Sequence, residues 1–142
     1  MKVMVIDTPK GTIVCSVATD QAANVPGTIA NFEKKAKEGF FDGLKFHRVE
    51  GWVIQGGDPT GTGSGGGKMP AEYNMLPFKE GALGVARGPD KARNSDCQFF
   101  IVKNNSNFLD GEYTNWGQVI EGMDVVKKIA IGDKMNVRFE ER

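Results

Sequence analysis

Histidine, cysteine and net charge are all scarce in this chain, and each shortage removes a class of function. Lysine plus arginine balances aspartate plus glutamate at 18 each, so the basic footprint of a nucleic-acid or anionic-membrane binder is missing and neither partner is expected. The two cysteines, Cys15 and Cys97, can form at most one bridge and have no metal-ligand spacing, which excludes a disulfide framework and points to a reducing, cytoplasmic setting. The lone histidine, His47, has no Ser-His-Asp or Cys-His signature around it, and one histidine with two scattered cysteines does not make a zinc site. Its expected work is packing and hydrogen bonding. No carboxylate pair stands out, so neither a metal nor a cofactor is expected. No apolar run approaches the length of a membrane span. The opening MKVMVIDTPKG reaches a Pro-Lys-Gly turn within eleven residues and has neither the apolar h-region nor the cleavage site of a secretory leader.

What is present is a chain of 142 residues, long enough for one sizeable core and too short for two, so residues 1–142 read as a single domain. Residues 1–6 and 12–17 alternate as strands do, and Thr8-Pro9-Lys10-Gly11 between them carries turn residues. Val25, Ile29, Phe32 and Ala36 fall on one helical face, with Pro26 in the first turn, Gly39 beyond the end and Glu33, Lys34 and Lys37 outside. Further strands are expected over residues 82–86, 97–102, 116–119 and 136–140, and a second helix over 123–130, with Lys127 and Lys128 near its end and Gly132 after it. Many short strands with two helices and no strand-helix alternation predict an all-β antiparallel core, most simply a closed barrel. Small barrels fill their interiors with side chains, so a ligand site is expected on the outer wall.

Glycine is plentiful, and GGDPTGTGSGGG over residues 56–67 contains the G-x-G-x-x-G spacing at Gly61, Gly63 and Gly66. A dinucleotide loop of that kind must open a helix, yet the chain continues into Lys68, Met69 and Pro70 without helical periodicity. A Walker A reading fails as well, because Thr62 stands where glycine is needed and Met69 follows Lys68. The stretch reads as a surface loop.

The chemistry concentrates just before it, in FHRVEGWVIQGGD. Two apolar runs, residues 46–49 and 52–54, flank Glu50-Gly51, spaced as the tight turn of a β-hairpin. Strand alternation places Val53 and Gln55 on one face and Trp52 and Ile54 on the other. A methyl-rich side chain beside an amide suits a site that grips an apolar group and hydrogen-bonds the backbone next to it. A plain barrel strand with a surface arginine fits the hairpin taken alone. CQFFIV repeats the pattern, with Gln98 and Phe100 sharing a face.

Taken together, FHRV, GWVIQGGDPTGTGSGGG, GALGVAR, NSDCQFFIV and FLDGEYTNWGQVIEGMDVV resemble the cyclophilin family of peptidyl-prolyl cis-trans isomerases over nearly the whole chain. The resemblance implies an eight-stranded barrel capped by two helices, with proline bound on the barrel's outer face. It implies Arg48 as the catalytic arginine, and Trp52, Val53, Phe100 and Leu109 as the proline pocket. Gln55 and Gln98 would hydrogen-bond the substrate, and the backbone around Ala86 and Arg87 would pair with the extended peptide. His47, Phe108 and Tyr113 complete the expected substrate-binding set. The implied partners are X-Pro peptides and unfolded proteins, met by a monomer, with a Pro-peptide chaperone lacking useful turnover as the alternative. Four positions depart from the best-studied members: the short Glu50-Gly51 turn, Arg87 for asparagine, Phe108 for tryptophan and Tyr113 for histidine. All four flank the pocket, so catalysis is expected to survive while cyclosporin, the family's macrocyclic inhibitor, is expected to bind weakly.

Overall fold

A computed structural model describes residues 1–19 and 23–142 of the protein. Strands β1 (Lys2–Thr8) and β2 (Gly11–Val17) form the opening hairpin. Its turn is fixed by the Thr8 hydroxyl, which donates to the Gly11 carbonyl at 2.8 Å and accepts the Lys10 N–H at 3.1 Å. Helix α1 (Pro26–Lys37) starts at a proline and ends just before Gly39, whose φ of 74° suits only a residue without Cβ strain. Its N-terminus lacks a local cap. Glu72 supplies one from far along the chain, accepting the Thr28 N–H at 2.6 Å and the Gly27 N–H at 3.3 Å.

Next come β3 (Phe46–Val49), β4 (Val53–Gly56), β5 (Lys68–Pro70), β6 (Ala82–Val85), β7 (Arg93–Ser95) and β8 (Phe99–Val102). A short 3-10 turn (Asn107–Leu109), β9 (Asn115–Glu121), α2 (Met123–Lys128) and β10 (Asn136–Glu141) complete the chain. Eight strands form one antiparallel sheet in the order β10-β1-β2-β9-β6-β8-β4-β3, and β5 pairs with β7 as a separate ribbon.

The sheet curls into a barrel whose ladder is not fully closed, which corrects the expectation of a closed barrel. Among the described residues, its end strands β10 and β3 meet through the Lys45–Lys134 bridge just before each of them and through flanking bonds, such as the Phe46 N–H to the Asp133 carbonyl at 2.9 Å and the Met135 N–H to the Leu44 carbonyl at 2.9 Å. The physical reason lies in Asp133. Its carboxylate accepts the Ala130 N–H at 2.9 Å and the Lys10 ammonium at 2.7 Å, holding a turn where a longer ladder would need extended backbone.

Alternation along the strands sorts side chains into two apolar layers. Inward residues such as Ile54, Phe99, Ile101 and Leu83 fill the interior together with Phe32 of α1, whose ring stacks on Trp116 at 4.4 Å. Outward residues Val53, Phe100 and Val102 join Phe78, Ala82 and Leu109 in a second cluster on the outer wall, with Trp52 and Tyr113 against it. This outer layer is what positions the site.

Both cysteines are free and buried. Burial pushes the Cys15 thiol up to about 12 and the Cys97 thiol up to about 11, so neither is a thiolate at neutral pH. A Cys15→Ala, Cys97→Ala double variant is therefore expected to keep the parent's turnover. Loss of turnover in a variant that still shows the parent's circular dichroism would assign a thiol a chemical role.

Candidate active site

The outer-wall cluster opens into a groove of about 310 Å³ bounded by Arg48, Trp52, Val53, Gln55, Phe100, Phe108, Leu109 and Tyr113, with Ala86 and Arg87 along one side. The floor is apolar and rigid. Phe100 stacks on buried Phe78 with ring centroids 5.8 Å apart and meets Tyr113 edge-on at 5.8 Å. It can lie flat because its pairing partner is Gly84, where a Cβ would come within 2.2 Å of the Phe100 ring.

Trp52 corrects the alternation argument. It falls in the turn before β4 instead of in the strand, so it shares the groove with Val53 and meets Phe108 at 5.2 Å. The turn closes through the Glu50 N–H to the Val53 carbonyl at 2.8 Å.

Arg48 is held at the rim of the groove from two sides. Its Nη1 donates to Gln55 Oε1 at 3.3 Å and its Nη2 to Glu50 Oε2 at 2.8 Å, with the guanidinium 5.6 Å from the Trp52 ring. One planar cation thus stands beside an apolar cavity, oriented but partly exposed.

The two glutamines differ. Gln98 is buried, and its amide is committed: Nε2 donates to the carbonyls of Gly63 at 3.0 Å and Gly65 at 3.1 Å, while Oε1 accepts Gln55 Nε2 at 3.0 Å. Gln98 therefore positions Gln55, and Gln55 faces the groove. The backbone expectation is refined in the same way. Ala86 donates its N–H to the Gln98 carbonyl at 3.0 Å and accepts from Ser95 at 2.9 Å, whereas among the described residues Arg87 has no backbone partner. The open peptide edge is that of Arg87.

His47 is the expected substrate residue that the structure sets apart from the groove. It sits at the β3 bulge opposite β4, its imidazole about 3.7 Å from where a Cβ of Gly63 would lie, and its Nδ1 has no hydrogen-bond partner among the described residues. It packs as expected but is not fully hydrogen-bonded. Burial depresses its pKa, Asp58 pulls the other way and Arg48 adds to the depression.

Three contributors escaped the sequence. Phe78 is one aromatic among prolines and charges, with no periodicity to betray it. The sequence marks Glu50 only as a turn residue. Asp58 falls within the glycine-rich loop of the sequence, and its one signal there is the Asp-Pro pair, a turn opener. It is buried and organises the glycine segment, accepting backbone N–H groups of Gly63 at 2.6 Å, Thr60 at 2.8 Å and Gly65 at 3.0 Å, together with the Thr60 hydroxyl at 2.8 Å. Burial disfavours its charge, but those four donors outweigh it and lower its pKa to about 2.

That shift predicts an acid dependence. A carboxylate whose folded pKa lies below its unfolded value contributes stability that is present above about pH 4 and disappears as pH falls towards 2, here about 2 kcal/mol. Asp58→Asn should be less stable than the parent at pH 7 and show a flatter loss of stability between pH 5 and 2 in urea titrations. Parallel acid limbs in the two proteins would contradict the assignment.

Comparison with known proteins identifies the family to which this barrel with its arginine-edged groove belongs. Residues 3–141 match the family model "Cyclophilin type peptidyl-prolyl cis-trans isomerase/CLD". The chain is 46% identical over 121 residues to peptidyl-prolyl cis-trans isomerase B of Bacillus subtilis, covering 81% of this chain and 83% of the relative. It is 40% identical over 136 residues to a peptidyl-prolyl cis-trans isomerase of Synechococcus elongatus, covering 92% and 90%. Among solved structures, a Cryptosporidium parvum cyclophilin crystallised in the presence of the dipeptide Ala-Pro superposes with a TM-score of 0.86 at 25% identity, over 99% of both chains. The chain belongs to the cyclophilin-type peptidyl-prolyl cis-trans isomerase family.

Proposed function

We propose that the groove binds proline-containing peptides and that Arg48 accelerates rotation about the X-Pro bond without a covalent step. The barrier to that rotation is about 18 to 20 kcal/mol because the amide nitrogen shares its lone pair with the carbonyl, while the two isomers of an X-Pro bond differ by only about 1 kcal/mol. Catalysis therefore needs only to favour the twisted form. In that form the lone pair localises on the prolyl nitrogen, and a guanidinium beside it forms an interaction stronger than in either planar state. Lowering the barrier by about 7 kcal/mol corresponds to roughly 10⁵-fold acceleration.

The observation that carries this reading is the placement of Arg48, fixed by Gln55 and Glu50 at the edge of an apolar cavity. Val53, Phe100 and Leu109 would enclose the proline ring, Gln55 would bond the substrate backbone and the Arg87 peptide edge would align the chain. The protein would act as a cytoplasmic monomer on X-Pro segments of unfolded chains, where isomerisation takes tens of seconds unaided. No helix among the described residues is long and apolar enough to cross a membrane.

The test is a protease-free isomerisation assay on a short X-Pro peptide, beside refolding of a protein limited by a proline step. Rates that rise in proportion to substoichiometric protein are expected. Slowing of refolding, or acceleration only at equimolar protein, would instead mark a binding module.

A further inference from the structure

Of the three side chains that would enclose the proline ring, two are placed by the sheet and one is not. Val53 and Phe100 lie in adjoining strands, paired with Val102 and Gln55. Leu109 ends the three-residue 3-10 turn, which has no side-chain cap at its start, and Gly111 follows two residues later with a φ of 71°. The internal hydrogen bonds of so short a turn hold a wall poorly, yet Leu109 is buried. Its position is set from outside the turn.

The anchor is Phe78. Its ring stacks on Phe100, and the segment that carries it is tied to β9 by Asn115, whose Nδ2 donates to the Pro77 carbonyl at 3.0 Å. The turn hangs on both backbone groups of Phe78. The Ser106 N–H donates to the Phe78 carbonyl at 2.7 Å, and the Phe78 N–H donates to Asp110 Oδ1 at 2.7 Å. Asp110 Oδ2 accepts Asn107 Nδ2 at 3.1 Å. One carboxylate thus holds the floor with one oxygen and the start of the turn with the other, and Phe108 and Leu109 lie between its two attachments. Phe78 is fully buried, so no water replaces the carboxylate if it is removed, and a bond to an ionised acceptor is of the stronger kind.

We propose that Asp110 is a positioning residue for proline binding: it clamps the turn that carries Leu109 to the floor at Phe78 and so sets the width of the groove. The proposal rests on the proline-groove reading above. The ring would be enclosed alike in both planar isomers and in the twisted form, so the clamp contributes equally to ground and transition states and its loss falls on KM, not on kcat. Arg48 keeps its own anchors, Gln55 and Glu50.

The test is steady-state kinetics on an Ala-Pro peptide beside calorimetric titration of the same peptide, well below each variant's melting midpoint. Asp110→Ala is expected to raise KM and the dissociation constant about fivefold to tenfold, the lower range for a buried donor left unpaired, with kcat within about twofold of the parent. Asp110→Asn keeps an oxygen for the Phe78 N–H and should recover most of the affinity, to within about threefold of the parent. A role confined to stability gives a different pattern, because a partly unfolded sample loses active sites and lowers the apparent kcat at unchanged KM. That pattern in Asp110→Ala, or a KM equal to the parent's, overturns the clamp and leaves the isomerase reading standing. So does a KM in Asp110→Asn as high as in Asp110→Ala, which would assign the effect to charge. If the alanine variant does not fold, Asp110→Glu decides: its extra methylene keeps the acceptor but pushes the turn away from Phe78, so a raised KM at the parent's kcat supports the clamp and an unchanged KM overturns it. Absence of turnover by the parent overturns both readings.

Discussion

Replacing Arg48 by alanine is expected to lower kcat/KM by about tenfold or more while moving the melting midpoint by no more than about 4 °C. The asymmetry follows from where the side chain sits. Arg48 is 44% exposed and its partner Glu50 48% exposed, and ion pairs of that kind contribute about 0 to 1 kcal/mol to stability. No buried charge is left behind when the guanidinium is removed, because Glu50 remains in solvent. The loss falls on the transition state. Arg48→Lys keeps the charge but loses the planar fork that spans Gln55 and Glu50, so it should recover only part of the rate. Unchanged turnover in Arg48→Ala would remove the proposed mechanism.

The second large effect concerns the macrocyclic inhibitor. Cyclosporin is expected to bind the parent about tenfold or more weakly than it binds Phe108→Trp. Phe108 is 68% exposed and packs its ring against Trp52 at the groove's rim, so it can touch a large ligand without enclosing proline. An indole there would add apolar area and an N–H donor that phenylalanine lacks. One hydrogen bond contributes about 0.5 to 1.5 kcal/mol net, and more when its acceptor would otherwise be buried unpaired. Calorimetric titration of both proteins, with the isomerase assay alongside, reads the effect: tighter binding by Phe108→Trp at similar kcat/KM. Equal affinities would move the cause to the Glu50-Gly51 turn or to Tyr113.

Two of the positions expected to depart from the better-studied cyclophilins are coupled in the structure. Arg87 lies 4.4 Å over the Tyr113 ring while its guanidinium holds the Glu112 carbonyl, so positions 87 and 113 form one stacked unit. Glu50 anchors Arg48. A single substitution at 87 or 113 would leave an aromatic or a cation without its partner, and reverting both together is the informative change.

Most strands of the main sheet were legible because they carry a period of two that the sheet enforces. Val53, Gln55 and Phe100 emerged on the groove side for that reason, whereas Arg48 emerged from the family resemblance, because the hairpin alone fits a surface arginine equally well. Trp52 was misplaced by the periodicity because it stands in the turn, where alternation has no hold. The β5–β7 ribbon left no pattern to read: its strands are three residues long, one ends in proline, and a strand of the main sheet, β6, separates them in the chain. The division of labour between Gln55 and Gln98 was invisible for a related reason. It depends on the glycine segment folding back on Asp58 to offer the Gly63 and Gly65 carbonyls, 35 and 33 residues from Gln98 in sequence. The open seam at Asp133 likewise rests on a contact with Lys10, 123 residues away.

The central claim is that the groove binds proline while the guanidinium speeds its rotation, and exchange NMR on an Ala-Pro peptide separates the two. Shifts on titration report binding, and cross-peaks between cis and trans resonances at substoichiometric protein report rotation. The parent should show both. Arg48→Ala should keep the binding shifts in Val53, Phe100 and Leu109 and lose most of the exchange. Equal exchange in the two proteins, or exchange lost only in step with binding, would contradict the account.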